Sequence, residues 1–87
     1  MAHVLIRHKV IDYNKWKKVY DSHLPQRKKA GLKEKYLFRN EEDGKEIILL
    51  FEAKDLKKAK SFISSDELHS AMASAGVIDL PDVYFLK

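Results

Sequence analysis

The sequence predicts an α+β fold with a ferredoxin-like β-α-β-β-α-β order and a four-stranded antiparallel sheet. It further predicts that two copies pack sheet to sheet as a dimeric α+β barrel. Three features lead there. Short segments rich in β-branched and aromatic residues alternate with amphipathic stretches in the order strand, helix, strand, strand, helix, strand. The two middle strands are joined by Glu41-Glu42-Asp43-Gly44, in which Asp-Gly is a strong hairpin signal. The third strand, Glu46-Ile47-Ile48-Leu49-Leu50-Phe51-Glu52, is apolar on both faces. Successive strand side chains point to opposite sides, so Ile47, Leu49 and Phe51 line one face and Ile48 and Leu50 the other. Such a strand must be covered on both sides. The helices cover one face of the sheet, since right-handed crossovers place them together. The other face needs a partner, and a second copy of the chain is the simplest one.

Residues 3–10 read as the first strand, with Val4, Ile6, His8 and Val10 on one face and His3, Leu5, Arg7 and Lys9 on the other. The first set is more apolar and is assigned to the helices. Asp12 is a good N-cap for a helix that begins at Tyr13. At 100° per residue, Tyr13, Trp16, Tyr20, Leu24 and Arg27 fall in one stripe, an aromatic seam with His23 at its edge. Pro25 has no N–H for the carbonyl of Asp21, which predicts a kink or restart near residues 23–25. Gly31 ends this helix.

The second strand is predicted over 32–40, with Tyr36 and Phe38 on one face and Leu37 and Arg39 on the other. The third runs over 45–53. Asp55 caps a second helix carrying Leu56, Ala59, Phe62 and Ile63. Ser64 and Glu67, three apart, suggest a capping box that opens a further helical piece bearing Leu68, Met72 and Ala75. Gly76 stops it. After a loop over 77–81, residues 82–86 form the last strand.

At 87 residues the chain is expected to be a single domain, 1–87. A domain this small buries roughly 60–65% of its unfolded surface, so dimerisation would add to a thin core. There is no cysteine, which excludes disulfides, thiolate metal sites and a thiol nucleophile. The apolar run near the N-terminus is too short for a signal peptide or a spanning helix, so the expected location is cytoplasmic, with no membrane partner. The net charge of +4 comes largely from the lysines and arginine between positions 15 and 35. Nucleic-acid binding is disfavoured: no strand carries the aromatic and glycine pattern of an RNA-recognition sheet. Mixed charge of this kind usually marks a solvated surface.

Several stretches resemble the small dimeric α+β barrel proteins of the antibiotic-biosynthesis-monooxygenase-like, or cyclase-like, group. These are Arg7-His8-Lys9-Val10 with Asp12-Tyr13 and Trp16-Lys17, then Asp21, His23 and Arg27. The resemblance continues through Ala59 to Phe62, Ser65, Glu67-Leu68, Ala71-Met72 and Ala75-Gly76-Val77, and closes with Pro81-Asp82-Val83-Tyr84-Phe85-Leu86. It implies the fold, a homodimer and a pocket for a phenolic or polycyclic compound. It spans cofactor-free monooxygenases, cyclases, haem-degrading enzymes and proteins without assigned chemistry. The Asn, Trp and His set of the haem-degrading members has no clear match here, and Pro25 departs from the helix expected at that position.

The candidate catalytic residues are His8, placed under the aromatic seam, and His23. Either imidazole has the chemistry of a general acid or base. The opposing reading of His8 is a core histidine whose ring is satisfied by a backbone carbonyl or a tyrosine hydroxyl. Trp16, Tyr20 and Tyr36 are candidates to wall a slot for a flat ligand, or are simply core. Arg27 can hold a carboxylate or enolate bidentately, or snorkel at the helix end. Arg39 has the same pair of readings, with a dimer-interface ion pair as the structural one. His69 is expected at the surface. No metal site is expected, because no histidine pair shares a helix or strand face. No cofactor is required. Two functions stay open: a cofactor-free monooxygenase or cyclase, and a non-enzymatic dimeric module that binds a ligand or regulates a partner.

Overall fold

A computed structural model describes residues 2–87. The first strand, β1 (Ala2–Lys9), is followed by helices α1 (Tyr13–Ser22) and α2 (Leu24–Lys29). The hairpin strands β2 (Leu32–Arg39) and β3 (Glu46–Ala53) come next. Helices α3 (Leu56–Ile63) and α4 (Asp66–Ser74) then lead to β4 (Asp82–Leu86). The sheet order is β2-β3-β1-β4, with every neighbouring pair antiparallel. This is the ferredoxin-like arrangement, with each predicted helix divided in two.

Each division has a local cause. Asp12 caps α1 by accepting from the amide of Asn14 at 2.9 Å. The helix stops at Ser22 because Pro25 offers no N–H to Asp21. Pro25 then sits in the first turn of α2, where a missing donor costs nothing. Gly31 follows Ala30 with φ +74°, the left-handed position that ends a helix. In the second pair, Asp55 accepts from the amides of Lys57 and Lys58. The cap of α4 is Ser65 rather than Ser64. The Ser65 hydroxyl accepts from the Leu68 amide at 3.2 Å, while the Ser64 hydroxyl turns back to the carbonyl of Lys60. The capping box expected between Ser64 and Glu67 is therefore one residue out.

The core lies between the sheet and the helices. In the β1–β3 ladder Val4 faces Phe51, Ile6 faces Leu49 and His8 faces Ile47. All of these but the half-buried Ile6 are buried, together with Trp16, Leu32 and Ala59. The opposite sheet face carries Leu5, Ile48, Leu50, Tyr36, Phe38 and Tyr84, as the cross-strand pairs require. Tyr36, Phe38 and Tyr84 are exposed there.

One end of that face is polar. Arg7 donates to Asp82 (2.7 Å), Glu46 (2.9 Å) and Asp79 (3.2 Å). Asp79 also accepts from the Lys9 amide, which ties the loop before β4 to the end of β1. Burial raises the Asp79 carboxyl, but the Lys9 amide and Arg7 outweigh it and hold the group below its usual range. Asn40 and Arg7 do the same for Glu46. Among the described residues no helix is long and apolar enough to cross a membrane.

Ile47 is fully buried at the centre of this ladder. Ile47→Ala should lower the unfolding free energy by about 3 kcal/mol, through lost transfer energy and a residual cavity. Urea titration followed by the fluorescence of the single tryptophan, Trp16, measures it.

Candidate functional site

β1 presents His8 to the helices, and α1 lays its aromatic seam across it. The His8 ring meets Trp16 edge-on, with centroids 5.7 Å apart and planes at 70°. Trp16 stacks on Tyr20 at 4.7 Å. The Arg27 guanidinium lies 3.7 Å from the centre of the Tyr20 ring. This order follows from helix spacing: Trp16 and Tyr20 are one turn apart, and the restart at Leu24 brings Arg27 back toward the same side. A cavity of about 80 Å³ runs beneath these residues. His23, at the α1–α2 junction, also lines it. Its remaining wall is apolar, built from Leu49 and Phe51 of the sheet and from Phe62, Leu68 and Met72 of α3 and α4. A larger and more polar groove of about 410 Å³ lies on the other side of Leu68 and Met72, but it contains none of the aromatic seam.

His8 is 4% exposed, and neither ring nitrogen has a hydrogen-bond partner among the described residues. A buried polar atom without a partner costs about 1–3 kcal/mol, so His8 is held in an unfavourable setting. Burial pushes its pKa from 6.5 down to about 4, with Asp79 opposing the change and Arg7 adding to it. At neutral pH the ring is therefore uncharged and carries one donor and one acceptor nitrogen. Arg27 is 8% exposed. It donates to the carbonyl of Tyr20 at 2.5 Å, a position favoured by the negative end of α1. No carboxylate lies within 4 Å of it among the described residues.

No family model matches the sequence, and no curated protein does. Solved structures match over nearly the whole chain. One from Bordetella bronchiseptica, named provisionally as an antibiotic biosynthesis monooxygenase, has a TM-score of 0.77 at 13% identity. The match covers 99% of this chain and 94% of that one. One from Caulobacter crescentus, named in the same provisional way, has a TM-score of 0.73 at 18% identity, covering 98% and 86%. An uncharacterised NIPSNAP domain protein from Burkholderia xenovorans has a TM-score of 0.66 at 6% identity, covering 100% and 93%. The chain shares the fold of these structures, several of which are named antibiotic biosynthesis monooxygenases. At these identities the likeness concerns the fold alone, and the chemistry has to be argued from the residues.

Within this fold, His8, Trp16, Tyr20, His23 and Arg27 line one cavity. Tyr36 does not join them. It lies on the opposite sheet face, exposed and stacked on Phe38 at 5.5 Å. Plain alternation from the buried Leu32 would bring Tyr36 under the helices. The register shifts between Glu34 and Tyr36, so one extra β2 residue reverses the faces beyond it. The Tyr20 hydroxyl is also unavailable to a ligand, because it donates to Glu34 at 2.7 Å. Burial and that hydrogen bond both raise its pKa, so it stays protonated. Its contribution to the cavity is the ring.

Two of the structural alternatives fail as well. His8 is not satisfied by a carbonyl or a tyrosine hydroxyl. The Arg27 head group is buried rather than snorkelling into water. Arg39 stacks over Tyr13 at 3.9 Å and donates to the Gly44 carbonyl. His69 is exposed, as expected. The apolar wall from α3 and α4 is the part of the site for which the sequence offers no chemical motif. Its signal in the sequence is Leu68, Met72 and Ala75 on one helical face.

The low pKa of His8 makes stability depend on pH. Below pH 6.5 the unfolded chain takes up a proton that the folded chain refuses until about pH 4. Stability from this group is thus full above 6.5 and falls as pH drops toward 4, by about 3 kcal/mol in total. Urea denaturation at pH 7 and pH 4 should show that loss in the unmodified protein beyond whatever His8→Phe loses. Equal losses in both would mean that His8 is already protonated, or solvated, at neutral pH.

Proposed function

We propose that the protein is a homodimeric small-molecule-binding barrel whose cavity carries out cofactor-free oxygenation or cyclisation of a phenolic compound. The observation behind this reading is the His8 ring, buried with both nitrogens unpartnered, in a cavity that is otherwise aromatic and aliphatic. A phenol hydroxyl supplies the missing hydrogen bond to the neutral imidazole; burial makes that imidazole a weak base, and a phenolate formed beside it is what raises its proton affinity. The buried imidazolium so formed is offset by the phenolate left beside it. Electron balance needs no cofactor. A phenol that reacts with dioxygen to give a quinone places one oxygen atom on the ring and releases the other as water. All four electrons come from the substrate. Trp16 and the Tyr20 ring position the substrate, Arg27 holds a negative group, and His23 is a second proton carrier at the same cavity. Size favours a single ring over a polycyclic compound, since even benzene occupies a cavity of about 150 Å³.

The alternative is a ligand-binding or regulatory module on the same scaffold. One experiment separates the two. Single-ring phenols should raise the melting temperature, because binding to the folded state stabilises it. The best binder should then consume dioxygen in an electrode cell, with uptake abolished by His8→Phe. Binding without oxygen uptake or any conversion favours the module. An unchanged melting temperature across millimolar phenols removes the site altogether.

The dimer reading rests on the apolar outer face of the sheet, where Leu5, Ile48 and Leu50 are flanked by exposed Tyr36, Phe38 and Tyr84. At micromolar concentration, sedimentation should give twice the 10.1 kDa chain mass. Leu50→Lys should give a folded species of single mass. A 10 kDa species from the unmodified chain would exclude the barrel.

A further inference from the structure

Arg27 poses a question that a neutral phenol does not answer. Among the described residues that line the cavity it is the one permanently charged group. It is more than nine-tenths buried, and among the described residues no carboxylate pairs with it. Buried guanidinium groups are ordinarily paired with an acid, because desolvating an unpaired charge is costly. Its Tyr20 partners, a carbonyl and a ring face, offset part of that cost and fix the plane of the group. Glu34, the acid near Tyr20, is taken up by the tyrosine hydroxyl instead. The cavity thus has a fixed positive charge at one place and a neutral, unpartnered imidazole at another, with apolar wall between them.

We propose that the ligand of this cavity is a hydroxylated single-ring aromatic carboxylic acid. Its carboxylate pairs with Arg27, and its hydroxyl hydrogen-bonds to His8. This rests on the small-molecule reading above and narrows it from phenols in general to monoanionic ones. Arg27 offers a rigid fork that matches a carboxylate in two parallel bonds. The neutral His8 adds no second positive charge, so one negative charge balances the site. The size limit is also physical. The cavity of about 80 Å³ admits a ring only if part of its wall moves. The movable part is α4, in which no residue is buried, with the flexible side chain of Met72 facing the cavity. That wall can yield enough for one ring beneath the helix, while the sheet side, with Leu49 and Phe51 buried, cannot.

The test compares three probes on the full-length chain at pH 7 by calorimetry or NMR titration: 4-hydroxybenzoate, its neutral counterpart 4-hydroxybenzyl alcohol, and benzoate. The hydroxy acid should bind at least about tenfold more tightly than the alcohol, as expected for a charge-assisted pair in a buried site. It should also bind more tightly than benzoate, and only the two hydroxylated probes should move the His8 ring resonances. The preference for acid over alcohol should vanish in Arg27→Gln and be partly kept in Arg27→Lys. If the alcohol binds as well as the acid to the unmodified protein, the anionic ligand class is overturned while the pocket reading stands. That comparison does not depend on any variant folding. If none of the probes binds, both readings fall. If the preference for the acid persists in folded Arg27→Gln, the charge comes from elsewhere on the basic surface and the assignment to Arg27 is wrong.

Discussion

The pairing of β1 with β3 is the constraint on which the molecule depends. Eight facing pairs, from Ala2 opposite Ala53 to Lys9 opposite Glu46, put these two strands at the centre of the sheet. Their inward residues make the floor of the helix-covered layer, and their outward residues make a second apolar surface. Because side chains alternate strictly, the same ladder that buries Ile47 and Leu49 must present Ile48 and Leu50 on the other side. The core and the exposed apolar face are therefore consequences of one register, and neither can change alone. His8 belongs to the inward set by the same rule, since Ile47 is its partner across the strands.

That placement sets the chemistry of the site. An imidazole in the second strand position from the end of β1 would ordinarily find water. Here Trp16 covers its edge and the α3–α4 wall closes the far side, so the ring is kept neutral by burial. The aromatic seam does two things at once. It completes the small core of the domain, and it relays position from His8 through Trp16 and Tyr20 to Arg27. The choice between core and ligand wall for these rings is therefore not exclusive: their edges and faces pack, while the imidazole at one end has no hydrogen-bond partner and the guanidinium at the other no carboxylate among the described residues.

The polar end of the outer sheet face has a separate structural role. Arg7 gathers Glu46, Asp82 and Asp79, one residue from each of three neighbouring segments. Ion pairs this close to the surface contribute little singly. Their geometry still matters, because Asp79 also holds the Lys9 amide and so fixes the loop that delivers β4 to the edge of β1. The same carboxylate acts on His8 through space.

Much of the fold was legible in the sequence because its signals are local or strictly periodic. Asp12 and Asp55 as caps, Pro25 as a break, Gly31 as a stop, the Asp43-Gly44 turn and the doubly apolar third strand each follow from residues within a turn or two of one another. The inward position of His8 and the seam of Trp16 and Tyr20 followed from alternation and helix spacing. What the sequence left undetermined depends on partners distant along the chain. The extra residue between Glu34 and Tyr36 shows only against the β3 ladder, and it alone moves Tyr36 from the helices to the outer face. Glu34 captures the Tyr20 hydroxyl, and Arg39 settles on Tyr13, across folded rather than sequential distances. That the His8 nitrogens find no hydrogen-bond partner and Arg27 no carboxylate among the described residues is decided in the same way. A missing partner is a property of everything that packs around a group, and only the tertiary structure brings that surrounding set together.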